Sequence, residues 1–296
     1  MSERTDTPPA DGGSTHILDE TAACLAELHG AAMQKLRVER VIVGVFFTGV
    51  QFSNGCAGVA YTPPESVERA STRILHEQPH RYRGMNAEEL VCGKHPGAFA
   101  PVIRLAALNA LSVPFFESGE IPVAEGVDLS EISELFVGRK ICMVGAIIPL
   151  LKKLGKMGAK EITIIDRKKE TQAEAELGRF VPLQETAGAL AACETAIFTG
   201  ATIANGSLEE LLRHVRADAA IAVAGPTAGF VPAPLFRRGV VLVGTVAVTD
   251  GEQALEIISE GGGAYQLFAR CVRKINLINE PRLAEIRQNL LREERG

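Results

Sequence analysis

Two rhythms of apolar spacing divide this chain. From residue 17 to about 36, ILDETAACLAELHGAAMQKL repeats apolar positions at helical spacing and predicts an amphipathic helix. ERVIVGVFFTGVQFS then reads as β, Asn54-Gly55 is a hairpin signal, and CAGVAYTP returns as a second strand. AFAPVIRLAALNAL predicts a further helix with Pro101 near its start, where a missing N–H is tolerated, and residues 112 to about 128 read as loop.

Beyond residue 130 the rhythm changes. RKICMVGA is followed by helical PLLKKLGKMG, KEITIIDR stands alone, ETAIFTG leads to SLEELLRHVR, DAAIAVAG to PAPLFRRG, and VVLVGTVAV to GEQALEIISEGG. Apolar runs alternating with helices indicate βαβ units, which build a parallel sheet covered on both faces. The expected fold is therefore α/β. A polar tail (1–14) precedes a smaller α+β domain (15–129), and a Rossmann-like parallel-sheet domain follows (130–296). Chain order alone leaves the order of strands open.

Composition narrows the function classes. With 46 % hydrophobic and 23 % charged residues in 296, the chain has the makeup of a globular protein able to bury two cores. A net charge of -5 with scattered basic residues gives no electrostatic footprint for nucleic acid. No apolar stretch approaches the roughly 20 residues of a membrane helix, and MSERTDTPPADGGST lacks the basic and apolar segments of a secretory signal. The expectation is a cytoplasmic protein with no membrane partner. Its six cysteines are widely spaced, with no CxxC pair, as suits reduced thiols.

In an open parallel sheet ligands bind outside the carboxyl ends of the strands, so the residues after each apolar run carry the functional signal. Here they are Gly145, Asp166, the loop TGATIANG with Thr199, Gly200, Thr202, Asn205 and Gly206, and the sister loop with Gly225, Pro226 and Thr227. Glycine allows close approach of a ligand to the backbone, and threonine hydroxyls with loop N–H groups can bind anionic oxygens. Ser207 and Glu210 have capping-box spacing, which starts a helix at Ser207 with its amino end toward the crevice. Asp166 stands where Rossmann domains often place a ribose-binding acid, but the GxGxxG fingerprint of a dinucleotide site is absent.

A soft-metal site could draw on Cys56, Cys92 and His95 if the fold unites them, although a buried thiol and a loop histidine are the simpler explanation of Cys92 and His95. His76 and His80 flank Pro79 and read as surface groups. There is no GxSxG, HExxH or P-loop, and no residue receives a catalytic role.

MVGAIIPLLKKL, IIDRKKE, TGATIANGSLEELL, AGPTAGFVPAPLFRRGV and EIISEGGGAYQLF together resemble a heavy-metal chelation family classed as a domain of unknown function. GVFFTGVQFSNGCAGVAYTP with LAALNAL resembles that family's companion domain, of enolase amino-terminal type. The resemblance implies a ligand pocket between the two domains and a link to metal or metal-complex handling. Ile147, Ile148 and GTVAVTD depart from the family pattern.

Two functions follow as expectations. The first is a binding or accessory protein for a transition-metal ion or an anionic metal chelate held in the interdomain cleft. The alternative is an enzyme binding a nucleoside-containing cofactor such as S-adenosylmethionine or a nucleotide. A scaffold without a small ligand, and assembly as a homodimer, stay open on sequence alone.

Overall fold

A computed structural model describes residues 15–73, 81–125, 129–167 and 175–293 of the chain. The tail 1–14, His76 and His80 lie outside them.

The first helix, Thr15–His29, stops earlier than its apolar spacing suggests, because Gly30 takes φ +53° and opens a 3-10 turn. The β-rich stretch after it is two strands, β1 (Val38–Val43) and β2 (Phe47–Phe52), which pair antiparallel. The chain reverses at Gly44, where a side chain would meet Ile258 Cγ2 at 2.7 Å. The Asn54-Gly55 turn then joins β2 to β3 (Ala57–Tyr61), as its dipeptide predicts. Helices Pro64–Arg73, Ala87–Cys92 and Ala100–Glu117 complete this half.

The helix Ala100–Glu117 extends well into the segment expected to be loop, through Pro114. Most of its side chains are buried, and that burial outweighs the hydrogen bond lost at a proline in the last turns. It is the one described helix long and apolar enough to cross a bilayer, and most of it lies inside the core. Gly58 in β3 lets it approach, since a Cβ there would sit 2.8 Å from the Asn109 carbonyl carbon.

The second sheet has eight strands among the described residues, numbered β4 to β11 along the chain. In chain order these are Ala124–Glu125, Lys140–Val144, Glu161–Ile165, Arg179–Phe180, Thr195–Thr199, Ala220–Ala224, Val240–Val248 and Val272–Ile278, and side by side they run β4-β11-β10-β9-β8-β5-β6-β7. From β5 to β10 all neighbours are parallel, and β11 and β4 close one edge antiparallel. Counting only the six parallel strands, the order is 3-2-1-4-5-6, that of doubly wound sheets. The five apolar runs are all strands. The short β4 and β7 and the antiparallel β11 add to them, and β4 carries the sheet back across the expected seam at 130.

Period-two alternation sends residues to opposite faces of the sheet. Ile141, Met143, Ile197, Ala220 and Ala222 pack under the helices Ile148–Met157 and Glu280–Glu293 with Leu151, Leu154, Leu283 and Ile286. Cys142, Ala196, Phe198, Ile221 and Val223 face the other way, into a core that also holds Ile17, Phe52, Leu105, Leu108 and Phe230. The two halves are thus joined by a shared core. Buried polar bonds cross the same junction: Asn109 Nδ2 donates to Thr227 O (3.0 Å), and Val231 N donates to Ser112 Oγ (3.0 Å).

Candidate functional site

Strand order reverses between β5 and β8, so the crevice of a doubly wound sheet opens at their carboxyl ends. Gly145 follows β5 with φ +80° and donates its N–H to Ile165 O at 2.8 Å. Thr199 ends β8 directly opposite. Gly200 comes next because Thr227 lies against it: a Cβ there would be 2.7 Å from Thr227 Cβ. The backbone therefore turns at close quarters at three neighbouring strand ends.

A cavity of about 530 Å³ lies over these ends. Gly145, Asp166, Thr199, Gly200, Thr202, Asn205, Gly225, Pro226 and Thr227 all line it, so the strand-end residues singled out in the sequence come together. Gly206 is not in the lining; it turns the chain with φ +78°. The opposite wall comes from the amino-terminal half, from Phe47, Tyr61, Pro63, Pro64 and Glu65. Tyr61 is tied across the junction by its N–H, which donates to Thr227 Oγ1 at 3.0 Å. The volume is within the usual range for small-molecule sites.

The helix boundaries around the first loop differ from expectation. β8 runs straight into a short helix, Gly200–Ala204, and Ser207 precedes a second, Leu208–Leu212. Ser207 does not cap it through its side chain; its hydroxyl donates to Asn205 Oδ1 (2.8 Å), which also accepts the Ser207 N–H (3.1 Å). An Asx turn has displaced the capping box, because Ser207 takes helical rather than extended backbone angles.

Among the polar groups of the cavity, Thr202 Oγ1 donates to Thr199 O at 2.8 Å and Thr227 Oγ1 accepts from Tyr61. Thr199 Oγ1 has no partner, although its residue is only 7 % exposed. A buried hydroxyl without a hydrogen bond is costly, which sets this one apart from the other polar groups of the cavity wall. Asp166 is engaged with the fold: its Oδ2 accepts the Ala146 N–H at 2.7 Å. Glu65 and Arg167 form an ion pair at the rim. Burial, then the charges of Glu65 and Asp166, push the Tyr61 phenol above its ordinary value, so it stays a neutral donor near neutral pH. The charged lining among the described residues is Glu65, Asp166 and Arg167.

The soft-metal set does not assemble. Among the described residues no three His, Cys, Asp or Glu side chains are grouped as metal ligands. Cys56 lies beyond the Asn54-Gly55 turn, its thiol pushed up by burial and by Glu117. The Cys92 thiol is pushed up by burial amid Arg104, Glu88 and Asp19, and His95 Nε2 bonds Glu89 O at 2.9 Å. The thiols have different neighbours and neither lines the cavity. Their sequence spacing carried no information about three-dimensional proximity.

The residues of the amino-terminal wall were not among those singled out in the sequence. Tyr61 and the Pro63-Pro64-Glu65 segment read locally as a strand end and a helix start, and only the docking of the two halves brings them to the cavity.

Comparison with known proteins agrees with this architecture. Residues 128–277 match the DUF364 family model and residues 26–112 the DUF4213 model, each described as "Putative heavy-metal chelation". A solved DUF364-family protein of unknown function from Pyrococcus horikoshii is similar at 19% identity and TM-score 0.68, over 88% of this chain and 99% of that one. Another, from Desulfitobacterium hafniense DCB-2, is similar at 18% identity and TM-score 0.62, over 87% and 99%. No curated protein matches the chain.

Proposed function

The chain belongs to the DUF364 family, and from that membership and the cleft we propose that it binds a small-molecule metal chelate between its two halves. The observation that carries the reading is Thr199 Oγ1, buried and unpartnered in a cavity of about 530 Å³ at the reversal point of the sheet.

The donor set favours a chelate over a bare ion. A tightly held transition-metal ion needs three or four grouped side-chain ligands. The described residues supply no such group, so they do not fit a resident ion. The cavity instead offers apolar walls, hydroxyls and a few charges, which is how a protein grips an organic molecule. On this reading the metal is cargo, carried by its own chelator, and the protein recognises the complex from outside.

The test is native mass spectrometry and calorimetry with cobalt(II), nickel(II) and zinc(II), each supplied as the aquo ion and as its histidine complex. The complex should bind intact, and Thr199→Val should weaken it. Equal binding of aquo ions and complexes, or binding indifferent to Thr199→Val, counts against the reading.

The second reading, an enzyme using a nucleoside-containing cofactor, draws on the strand order and on Asp166 at the end of β6. The bond from Ala146 N already uses one oxygen of that carboxylate. Adenosine and S-adenosylmethionine in the same titration separate the two readings.

A further inference from the structure

We propose that the cleft is preformed at a fixed width, and that Asn109, which lies outside its lining, is the residue that positions its two walls. The bearing on affinity rests on the chelate-binding reading above.

Asn109 is the polar exception in its stretch of helix. The segment LAALNAL is otherwise apolar and the residue is 3 % exposed, so an amide there is costly unless its donors are used. Both contacts of its Nδ2 are carbonyl oxygens, Val59 O at 2.7 Å and Thr227 O at 3.0 Å. A carbonyl only accepts, which fixes the orientation of the amide. Its Oδ1 has no partner, so donation is what the side chain contributes.

Thr227 is held from three sides. Its carbonyl takes the Asn109 amide, its hydroxyl takes the Tyr61 N–H at 3.0 Å, and a Cβ on Gly200 would be 2.7 Å from Thr227 Cβ. Val59 and Tyr61 belong to β3, an edge strand of the three-stranded sheet, whose outward N–H and C=O groups would otherwise be unpaired. Asn109, β3 and Thr227 therefore close a ring: the side chain bonds Val59, the strand runs on to Tyr61, Tyr61 bonds Thr227, and Thr227 returns to Asn109. Gly58, whose Cβ would sit 2.2 Å from Ala110 N, lets the strand come that near to the helix.

Tyr61 stands on the amino-terminal wall of the cavity, and Gly200, beside Thr199, on the other. Both are held against Thr227, so buried bonds set the distance between the walls before any ligand arrives. A site built in this way binds without closing and keeps the ordering cost of closure out of its affinity.

Amide hydrogen exchange followed by NMR tests this in the ligand-free protein. The Tyr61 amide should exchange as slowly as the amides of β10 in the core. In Asn109→Leu, which keeps the bulk and removes the donor, it should exchange roughly tenfold faster relative to them. Asn109→Ser, which leaves room for water at both carbonyls, is read in the same way where leucine is not tolerated. Thr227→Val should free the same amide by removing its acceptor, and Thr227→Ser should keep it bound. A merely destabilised protein would speed Tyr61 and β10 together. The nickel(II)–histidine complex should bind the Asn109 variant roughly two- to tenfold more weakly, the loss expected when a wall has to be ordered on binding. Glu20→Gln, outside the cavity lining, should leave that affinity unchanged.

A Tyr61 amide that exchanges freely in the unmodified protein, or whose rate relative to β10 is the same in the Asn109 variants, overturns the positioning. Unchanged affinity in a variant whose Tyr61 amide is freed overturns its bearing on the ligand. Failure of the complex to bind the unmodified protein overturns the chelate reading alone, because the exchange measurements need no ligand.

Discussion

Gly145 and Thr199 meet across the reversal point of the sheet: a Cβ built on Gly145 would lie 2.9 Å from Thr199 Cγ2 and closer still to Oγ1. The contact joins the ends of β5 and β8, the two strands that flank the crevice. It also sets the position of Thr199 Oγ1, the one buried hydroxyl without a partner among the described residues.

Gly145→Ala should therefore be costly. The side chain would be strained at φ +80° and would collide with Thr199, for a combined loss of about 2–4 kcal/mol. Adding Thr199→Ala should recover part of it by removing the colliding atoms, while the backbone strain persists. Urea unfolding of the two single variants and the double gives the coupling; strictly additive losses would mean the two residues do not touch.

Thr199→Val should do the opposite to the ligand-free protein. Valine has the same shape without the unpartnered hydroxyl, so stability should rise by about 1 kcal/mol. A higher Tm together with weaker chelate binding is the signature of a group kept for function. A lower Tm would show that the hydroxyl has a partner in solution.

Gly155 and Gly188 sit in the helices Ile148–Met157 and Thr186–Ala192 with no atom near where a Cβ would go. Replacing either by alanine should stabilise by about 0.5–1 kcal/mol, through helix propensity alone. Thermal melts of Gly155→Ala and Gly188→Ala check this, and they calibrate the Gly145→Ala loss against a glycine that has room.

Glu20 links the first helix to the sheet half through Arg237 and Arg238, whose hydrogen bonds, with Arg238 first, hold its carboxyl down to about 2. A depressed carboxylate contributes stability above its ordinary value of 4.5, and the contribution is lost as pH falls from there toward about 2. The side chain is 34% exposed, so solvent screening limits the effect to under about 1 kcal/mol. Glu20→Gln should be less stable at neutral pH and should show a shallower stability loss across that acid window. Parallel pH profiles for the two proteins would contradict the assignment.

The periodic features of this protein were legible in its sequence. Apolar runs at periods of two and 3.6 gave the parallel strands and several helices, because burial of one face is a local repeating requirement. Asn54-Gly55 gave its hairpin, and the residues after β5, β6, β8 and β9 gave one wall of the cavity, because a parallel sheet fixes which end of each strand faces a ligand. Tertiary structure decided what depends on non-local contact. It set the strand order, carried the long helix past Pro114 by burying it, and turned Ser207 from a cap into an Asx turn. It kept Cys56, Cys92 and His95 from forming a metal site and brought Tyr61 and Glu65 to face Thr199. Local spacing determines which side of an element a residue occupies; only the packing of elements determines what stands opposite it.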